Sequence, residues 1–456
     1  MRVLVVDASL NHGMLLSERL AEEGHEVIYS PIWGILADHP FSVMLGRGVH
    51  NTKLDPEGWM RWVDRVDVAT VTGVEHRGHV TNFLKKAGVP VAGPGLKACT
   101  LEIDRGEGRR AFEKMGLKLP KGKRFTSPED VARYVDKNPG RYVMKIDQIA
   151  RAYFETFVGK DPEGDDVREM ALRLRGVLGF ADGYIGYYLE ELTRGVEVGV
   201  GGMFNGTKIV GDLMVTFEGD AGYGYDLRLD GDSILSRKKI ERVLREYNYR
   251  GTFDINGILS DEHGYRPIEW TARWGSGTVE FYCHAAVNLG ELLLAAATGK
   301  DAPLYRPELR NKFLALVNCK DEDPDMEDPR EVYFSEEDSE AVSIPVLRSK
   351  NASFWTSFPG KTSAGKWLSF PVLGTRDRRM GTFVGEGANY KEAVDAAVGL
   401  SDYVGISNTH VEEGRLLEEF SGKVDQVYNY LMHGVAPGSV HESFNELGIR
   451  MRTSID

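Results

Sequence analysis

GTFDINGILS (residues 251–260), DEHG (261–264) and YRPIEWTARWG (265–275) follow one another without a break, and their reading decides how the rest of the chain is understood. Glu269, Thr271 and Arg273 alternate with large apolar residues, the period of a strand. DEHG is a turn-forming group, so the two runs form an antiparallel hairpin. With a four-residue loop, Asp254 pairs with Thr271 and Asn256 with Glu269. Strand side chains alternate between faces, so Asp254, Asn256, Glu269, Thr271 and Arg273 share one face, and Phe253, Ile255, Leu259, Ile268 and Trp270 share the other. An ordinary half-exposed hairpin also has a polar face. Asp and Asn are poor strand formers, however, and two carboxylates about 4 Å apart repel by roughly 4 kcal/mol at an effective dielectric near 20. A close pair calls for a cation, and oxygen ligands with open positions suit Mg²⁺ carrying nucleotide phosphates.

Outward from the hairpin the chain is a mixture of α/β and α+β. RVLVVD, LLSERLAEEGHEVIYS, VDVATVTG and HVTNFLKKAGVPVAG read as strand–helix–strand units of a small doubly wound domain over the first hundred or so residues. Its first turn, Asp7 to Gly13, lacks the GxGxxG dinucleotide fingerprint. KRFTS, RYVMKID and GYYLEEL are strands alternating with helices near 128–136 and 165–177, an α+β lobe. LGELLLAAATGK is a helix. KDEDPDMEDPREVYFSEEDSE, around 320–340, is acidic and reads as a solvated linker. Beyond it, VSIPVLRS, ASFWTSF, KWLSFPVLG and YKEAVDAAVGLSDYVG form a further small α+β domain.

Composition bounds the function. The 456 residues suit two to four domains, and 42% hydrophobic content fills their cores. A formal net charge of −13 argues against nucleic-acid binding through a basic surface. Cys99, Cys283 and Cys319 show neither disulfide-framework nor metal-ligand spacing, so a reducing compartment is expected. The opening apolar run stops at Asp7, too short for a signal-peptide core, and no segment approaches the roughly 20 apolar residues of a membrane span. These features lead us to expect a cytoplasmic protein acting on small molecules, without a membrane partner, as a monomer or homodimer.

YRGTFDINGIL with PIEWTARWG resembles the metal-binding hairpin of the ATP-grasp ligases, most closely the glycinamide ribonucleotide synthetase (phosphoribosylamine–glycine ligase) family. Its Glu-Phe-Asn-Ala-Arg-Phe-Gly signature is matched at Glu269, Ala272, Arg273 and Gly275. RYVMKID is similar to the family's Val-Lys-Ala-Asp strand, and YYLEELTRGVEVGVGGMFNG resembles its hinge strand, matching Glu190, Glu191, Gly195 and Glu197. The resemblance extends to the carboxy-terminal GTFVGEGANYKEAVDAAVGLSDYVGI. It implies an ATP-grasp fold: an amino-terminal doubly wound pre-ATP-grasp domain (1–105), an ATP-grasp domain (106–320, its nucleotide-covering lobe about 120–190) and a small α+β domain (341–456). It implies a carboxylic acid, an amine and ATP as substrates, with Mg²⁺, or Mn²⁺ in its place, as the metal. Asp254, Glu269 and Asn256 would hold the metal. Arg273, with Glu269, would act on the transferring phosphoryl group. Lys145 and Arg105 would reach nucleotide phosphates, and Glu190 would line the same nucleotide site. Glu191 and Leu192 would present backbone groups to the adenine edge, and Glu197 would hold the ribose.

The pattern breaks in informative places. Tyr153 and Phe154 stand where the family's phosphate-covering loop has Lys and Gly, leaving Arg151 as the nearby cation. Thr271 replaces the metal-facing Asn, for which Asn256 across the hairpin is the substitute. Loops facing substrate are altered to DASLNHG, TGVEHRG and VTFEGDAGYGYD, which leave Glu75, Asp220 and Gly222 as substrate-side candidates. GSGTVEFYCHAA lacks the basic, histidine-containing run of biotin carboxylases. The reading that results is a ligase with an altered acid or amine; two others stay open, a biotin-carboxylase-like enzyme, which that missing run opposes, and a catalytically weak nucleotide-binding relative serving as a binding module.

Overall fold

The computed structural model describes residues 1–433 apart from 8–11, 32–45, 50–51, 56–57, 75–77, 148–155, 179–182, 261–262, 324–328, 335–345, 358 and 371–378. Arg2–Asp7 is apolar along almost its whole length because both of its faces are covered. It lies at the centre of a five-stranded sheet ordered Thr52–Leu54, Glu26–Pro31, Arg2–Asp7, Val68–Val71 and Val91–Ala92, all parallel. At its carboxyl end Asp7 accepts hydrogen bonds from Tyr29 (2.9 Å) and Thr72 (2.7 Å).

A second sheet is antiparallel, in the order Gly122–Phe125, Tyr187–Glu191, Tyr142–Ile146 and Thr156–Val158. The helices Pro128–Lys137 and Asp165–Leu178 cover it. Ser127 caps the first by accepting the Asp130 N–H, and Pro128 sits in the first turn, where its missing donor is harmless. Val131, Val135, Met144, Ile146, Tyr187 and Leu189 give this lobe its own core.

The hairpin belongs to a ten-stranded sheet. From its edge the order is Gly264–Thr271, Gly251–Ser260, Val196–Phe204, Ile209–Gly219, Gly222–Asp226, Phe313–Asp321, Arg379–Gly387, Ala352–Thr356 and Val346–Arg348, with Thr409–Val411 pairing Phe313–Asp321. This sheet therefore continues past the acidic stretch and takes strands from residues 346–411. The acidic stretch itself departs from the expected linker. Arg330–Phe334 is a strand between Trp367–Ser369 and Val404–Ile406, and Arg330 grips the buried Asp321 with contacts of 3.0–3.3 Å. Paired charges pack where a run of like charge would not.

Asp254 pairs with Thr271 and Asn256 with Glu269, the pairs expected from a four-residue loop. The turn is one residue shorter than four, because Ser260 pairs with Gly264. A β-bulge between Asn256 and Gly257 absorbs the surplus on the opposite strand, at Ile268. The phase of burial shifts there: Tyr265, Pro267 and Trp270 are buried, while Ile268 is only partly so. Ile268 is thus withdrawn from the core face on which simple alternation puts it.

Candidate functional site

The polar face of the hairpin opens into a cavity of ≈ 200 Å³ bordered by Glu218, Tyr223, Asp254, Asn256, Glu269 and Arg273 among others. The approach of these side chains depends on a glycine. A Cβ on Gly199, in the neighbouring strand, would lie 2.0 Å from Thr216 Oγ1 and 2.7 Å from Asp254 Oδ1. Only a residue without a side chain lets Thr216 and Asp254 meet across that strand, where Thr216 Oγ1 donates to Asp254 Oδ2 at 3.3 Å.

Cations arrive from two other elements. Asp104 caps the helix Arg105–Lys114 by accepting the Glu107 N–H, which sets Arg105 in the first turn, 7% exposed. Its Nη1 lies 3.3 Å from Glu269 Oε2, so Arg105 is a buried partner of the hairpin and not a solvated helix residue. Lys145, 6% exposed, comes from the lobe. Its Nζ sits 3.1 Å from Glu190 Oε2 and donates to the Ile268 carbonyl at 3.3 Å, so the bulge supplies an acceptor. Glu190 also pairs with Arg109, one turn beyond Arg105 on the same helix face. Around this chain of charges lies a cleft of only ≈ 20 Å³, lined by Tyr188, Ile268 and Trp270 with the charged groups.

Other expected site residues are placed differently. Glu191 is exposed, 3.9 Å from Lys121. The Glu191 and Leu192 N–H groups donate to the Lys121 and Arg141 carbonyls, so the donor half of an adenine-reading edge is already taken at both residues. Asn256 Nδ2 donates to Glu218 (3.2 Å) and Glu269 (3.4 Å), turning nitrogen, not oxygen, towards the acids. Two carboxylates draw the donor end of an amide, which reverses the orientation expected for a metal-facing carbonyl. Arg273 is held by Glu102, with Nε and Nη2 each 2.9 Å from Oε1. Asp220 pairs with Arg415 at the tip of a hairpin in which Gly219 faces Gly222, and neither Asp220 nor Gly222 borders the cavity. Tyr223 and Tyr225 of the same hairpin do. Glu75, Arg151, Tyr153 and Phe154 lie outside the described residues.

Sequence reasoning missed Glu102, Arg109, Glu218, Tyr223, Tyr225 and Gly199. Arg109 was recoverable, since it is four residues from Arg105 on one helix. Glu218 and Glu102 come from remote strands and helices, and only folding brings them in.

The acids are not electrically alike. For Glu269 burial pushes upward, but Arg105 and Lys145 outweigh it, leaving the carboxyl below its ordinary range. For Asp254 burial dominates and lifts it to about 7, with Glu269 and Glu197 adding to the rise against the Thr216 hydroxyl. Burial, then Glu197, Glu269 and Asp254, also raise Glu218 to about 7, although the residue is exposed at the cavity wall. Glu197 is raised by burial and by Glu269, against Lys423 and Lys145. Asp254 Oδ1 is buried without a hydrogen-bond partner among the described residues.

A pH effect on stability follows. A carboxyl whose folded pKa is raised binds its proton more tightly folded than unfolded, so its contribution is full below the unfolded value, about 4, and is lost as pH rises through about 7. The lowered Glu269 acts with the opposite sign, and only below its ordinary range. The metal-free protein is therefore expected to lose thermal stability between pH 5 and pH 8, and Asp254→Asn should flatten that slope. Melting temperatures across this range check it; an unchanged slope in Asp254→Asn would remove Asp254 as its source.

No family model matches the chain. A phosphoribosylamine–glycine ligase of Leifsonia xyli subsp. xyli (strain CTCB07) is 25% identical over 382 residues, 77% of this chain and 87% of that protein. Among solved structures, phosphoribosylamine–glycine ligase of Thermotoga maritima superposes with a TM-score of 0.62 at 16% identity, covering 90% of this chain and 99% of that one. Biotin carboxylase of Campylobacter jejuni, in complex with β,γ-ATP, gives 0.60 at 12% identity over 93% and 96%. The biotin carboxylase domain of Hydrogenobacter thermophilus 2-oxoglutarate carboxylase, in complex with MgADP and bicarbonate, gives 0.61 at 14% identity over 98% of each.

Proposed function

Starting from the ATP-grasp fold, which these likenesses establish for the chain, we propose that the protein is an ATP-dependent carboxylate–amine ligase working through an acyl phosphate. In this reading it is similar to phosphoribosylamine–glycine ligase but takes a different acid or amine. The carrying observation is the convergence of Arg105, Lys145, Asp254, Glu269 and Arg273 from three separate elements around one cleft and cavity.

The acid set suits a hard cation. Asp254 has a buried oxygen without a hydrogen-bond partner among the described residues, and burial, with Glu269 and Glu197 adding, lifts its carboxyl to about 7. Among the described residues no three of His, Cys, Asp or Glu are grouped to hold a metal alone. That accords with Mg²⁺, which takes one or two carboxylates and completes its shell with water and substrate phosphates. Asp254 and Glu269 would hold it, with Asn256 joining after an amide flip. When bound, the ion supplies positive charge against the phosphate oxygens.

The chain's own groups do the rest. Arg105 and Lys145 bind and orient the phosphates, exchanging Glu269 and Glu190 for phosphoryl oxygens as partners. Glu190 and the segment at Glu191 and Leu192 border the base, and Glu197 holds the ribose hydroxyls. Arg273, released from Glu102, steadies the phosphoryl group as it passes to the substrate carboxylate. The amine attacks the acyl carbon as its free base, its ammonium proton having passed to a cavity carboxylate such as Glu218; the acyl C–O bond breaks and phosphate leaves with the nitrogen's second proton.

The cavity also speaks to the amine. It has three carboxylates on its walls and Arg273 as its only cationic lining residue among those described. With Asp254 and Glu269 given to the metal, Glu218 remains to receive an amine carried in as an ammonium ion. A panel of acids and amines scored by ADP release tests this. ADP release is expected to require both an acid and an amine, with glycine and phosphoribosylamine a poor pair. If no pair raises ADP release above background, the second reading, a nucleotide-responsive binding module, takes over; both readings require the ≈ 20 Å³ cleft to widen before a nucleotide enters.

A further inference from the structure

The helix Thr278–Ala285 has a cavity at each end. Thr278 borders the acidic one; at the other end, about 9 Å along the axis, His284 borders a separate cavity of ≈ 170 Å³. The polar lining of this second cavity is opposite in character: Arg19, Arg306, Arg348, His284, Ser349 and Ser353. These residues come from the helix His12–Glu22, the segment before Pro307, the edge strand Val346–Arg348 and the strand Ala352–Thr356. No carboxylate borders it among the described residues.

The arginines are held from behind. Arg19 pairs with Glu23 at 2.9 Å, Arg306 with Glu386 at 2.9 Å, and Arg348 with Glu22 at 2.7 Å. Arg348 also lies over the Trp355 ring, 4.6 Å from its centroid. These contacts fix three guanidinium groups without using all of their donors. Arg19 Nε and Arg306 Nε are buried and have no hydrogen-bond partner among the described residues. The three guanidinium groups border one partly open space, each charge balanced by its own carboxylate, so what they offer an anion is their unused donors.

We propose that this cavity binds a compact phosphate-type oxyanion, either free phosphate or the phosphoryl group of a small monoester. Planar guanidinium forks and hydroxyls approaching from four elements match a tetrahedral anion better than a flat carboxylate. The volume is close to that of a cavity that admits benzene and well below that of a nucleotide site, so the ligand has few heavy atoms.

The test uses the full chain. Inorganic phosphate is titrated at constant ionic strength against potassium chloride, following melting temperature and tryptophan fluorescence, with glycerol 3-phosphate as a second arm. Saturable stabilisation by phosphate or by the monoester is expected, and the tighter of the two identifies the source. Arg348→Gln should weaken it at least about tenfold, the loss of one charge-assisted hydrogen bond. Arg273→Gln, in the other cavity, should leave it unchanged. Trp355→Phe should remove the phosphate-dependent fluorescence change and retain the stabilisation, a readout that stands even if Arg348→Gln fails to fold. An equal effect from chloride, no saturable effect from either phosphate compound, or a loss in Arg273→Gln but not in Arg348→Gln would overturn the proposal.

Discussion

Glu269→Gln is expected to lower acid- and amine-dependent ADP release by at least about a hundredfold while the chain stays folded. The side chains are nearly equal in size, so the change removes one charge from the point where Arg105 and the hairpin meet. About 3 kcal/mol or more of transition-state stabilisation is lost when an anionic metal ligand and its orienting effect on phosphates disappear. The effect on folding is smaller and has two parts. Losing the charge weakens a long 3.3 Å contact with Arg105, worth about 1 kcal/mol. It also relieves the like charge that helps to raise Asp254, which offsets some of that cost. Single-turnover ADP release and urea unfolding on the same preparation separate the two. Full turnover in the variant would end the phosphoryl-transfer reading, and global unfolding would make the polar face structural.

Trp270→Ala, one residue along, should do the reverse and destabilise by about 3–5 kcal/mol. The indole is 1% exposed and stacks on Phe112, with centroids 5.1 Å apart and planes 8° from parallel. Removing it opens a cavity between the hairpin and the helix that carries Arg105. Its Nε1–H finds no hydrogen-bond partner among the described residues, so the loss lies wholly in packing and burial. The urea midpoint should fall, and the residual folded fraction should keep measurable nucleotide-dependent activity. A variant as stable as the parent would mean that the opposite face is not the core.

What the sequence revealed depended on how local the signal was. The doubly wound start, the lobe and its two helices were legible because each is written in a short run of apolar spacing. The faces of Asp254, Asn256, Glu269 and Thr271 were legible from strand alternation, whereas the Asp254–Thr271 and Asn256–Glu269 pairing rested on a four-residue loop and came out right because the bulge cancels the error in the turn. The one-residue error in the turn was not legible, since a bulge at Ile268 compensates for it and no residue type announces a bulge. Arg330–Phe334 was hidden because its acidic surroundings read as solvated, whereas a single cross-chain contact from Arg330 to Asp321 neutralises the place where it packs. Among candidate residues, those on the hairpin and on RYVMKID drew notice because charge in mid-strand is anomalous on its face, and they line the cleft and the cavity. Glu218 and Glu102 were missed, being ordinary in their own segments and unusual only by juxtaposition. Asp220 and Gly222 were misplaced because a glycine-rich turn was read as an open loop.

The bulge at Ile268 has a practical consequence for protein engineering. It divides the hairpin ladder into two sections of different phase, and the Asp254–Thr271 and Asn256–Glu269 rungs lie on the side away from the turn. A residue gained or lost at the tip is then a change in where the bulge sits, not a slip that would turn every side chain over. The connection between Ser260 and Gly264 is accordingly the place to graft a peptide tag or a fluorophore. A label there would ride on the same two strands as the cavity and report on its motions, while the rungs beside the cavity keep their partners.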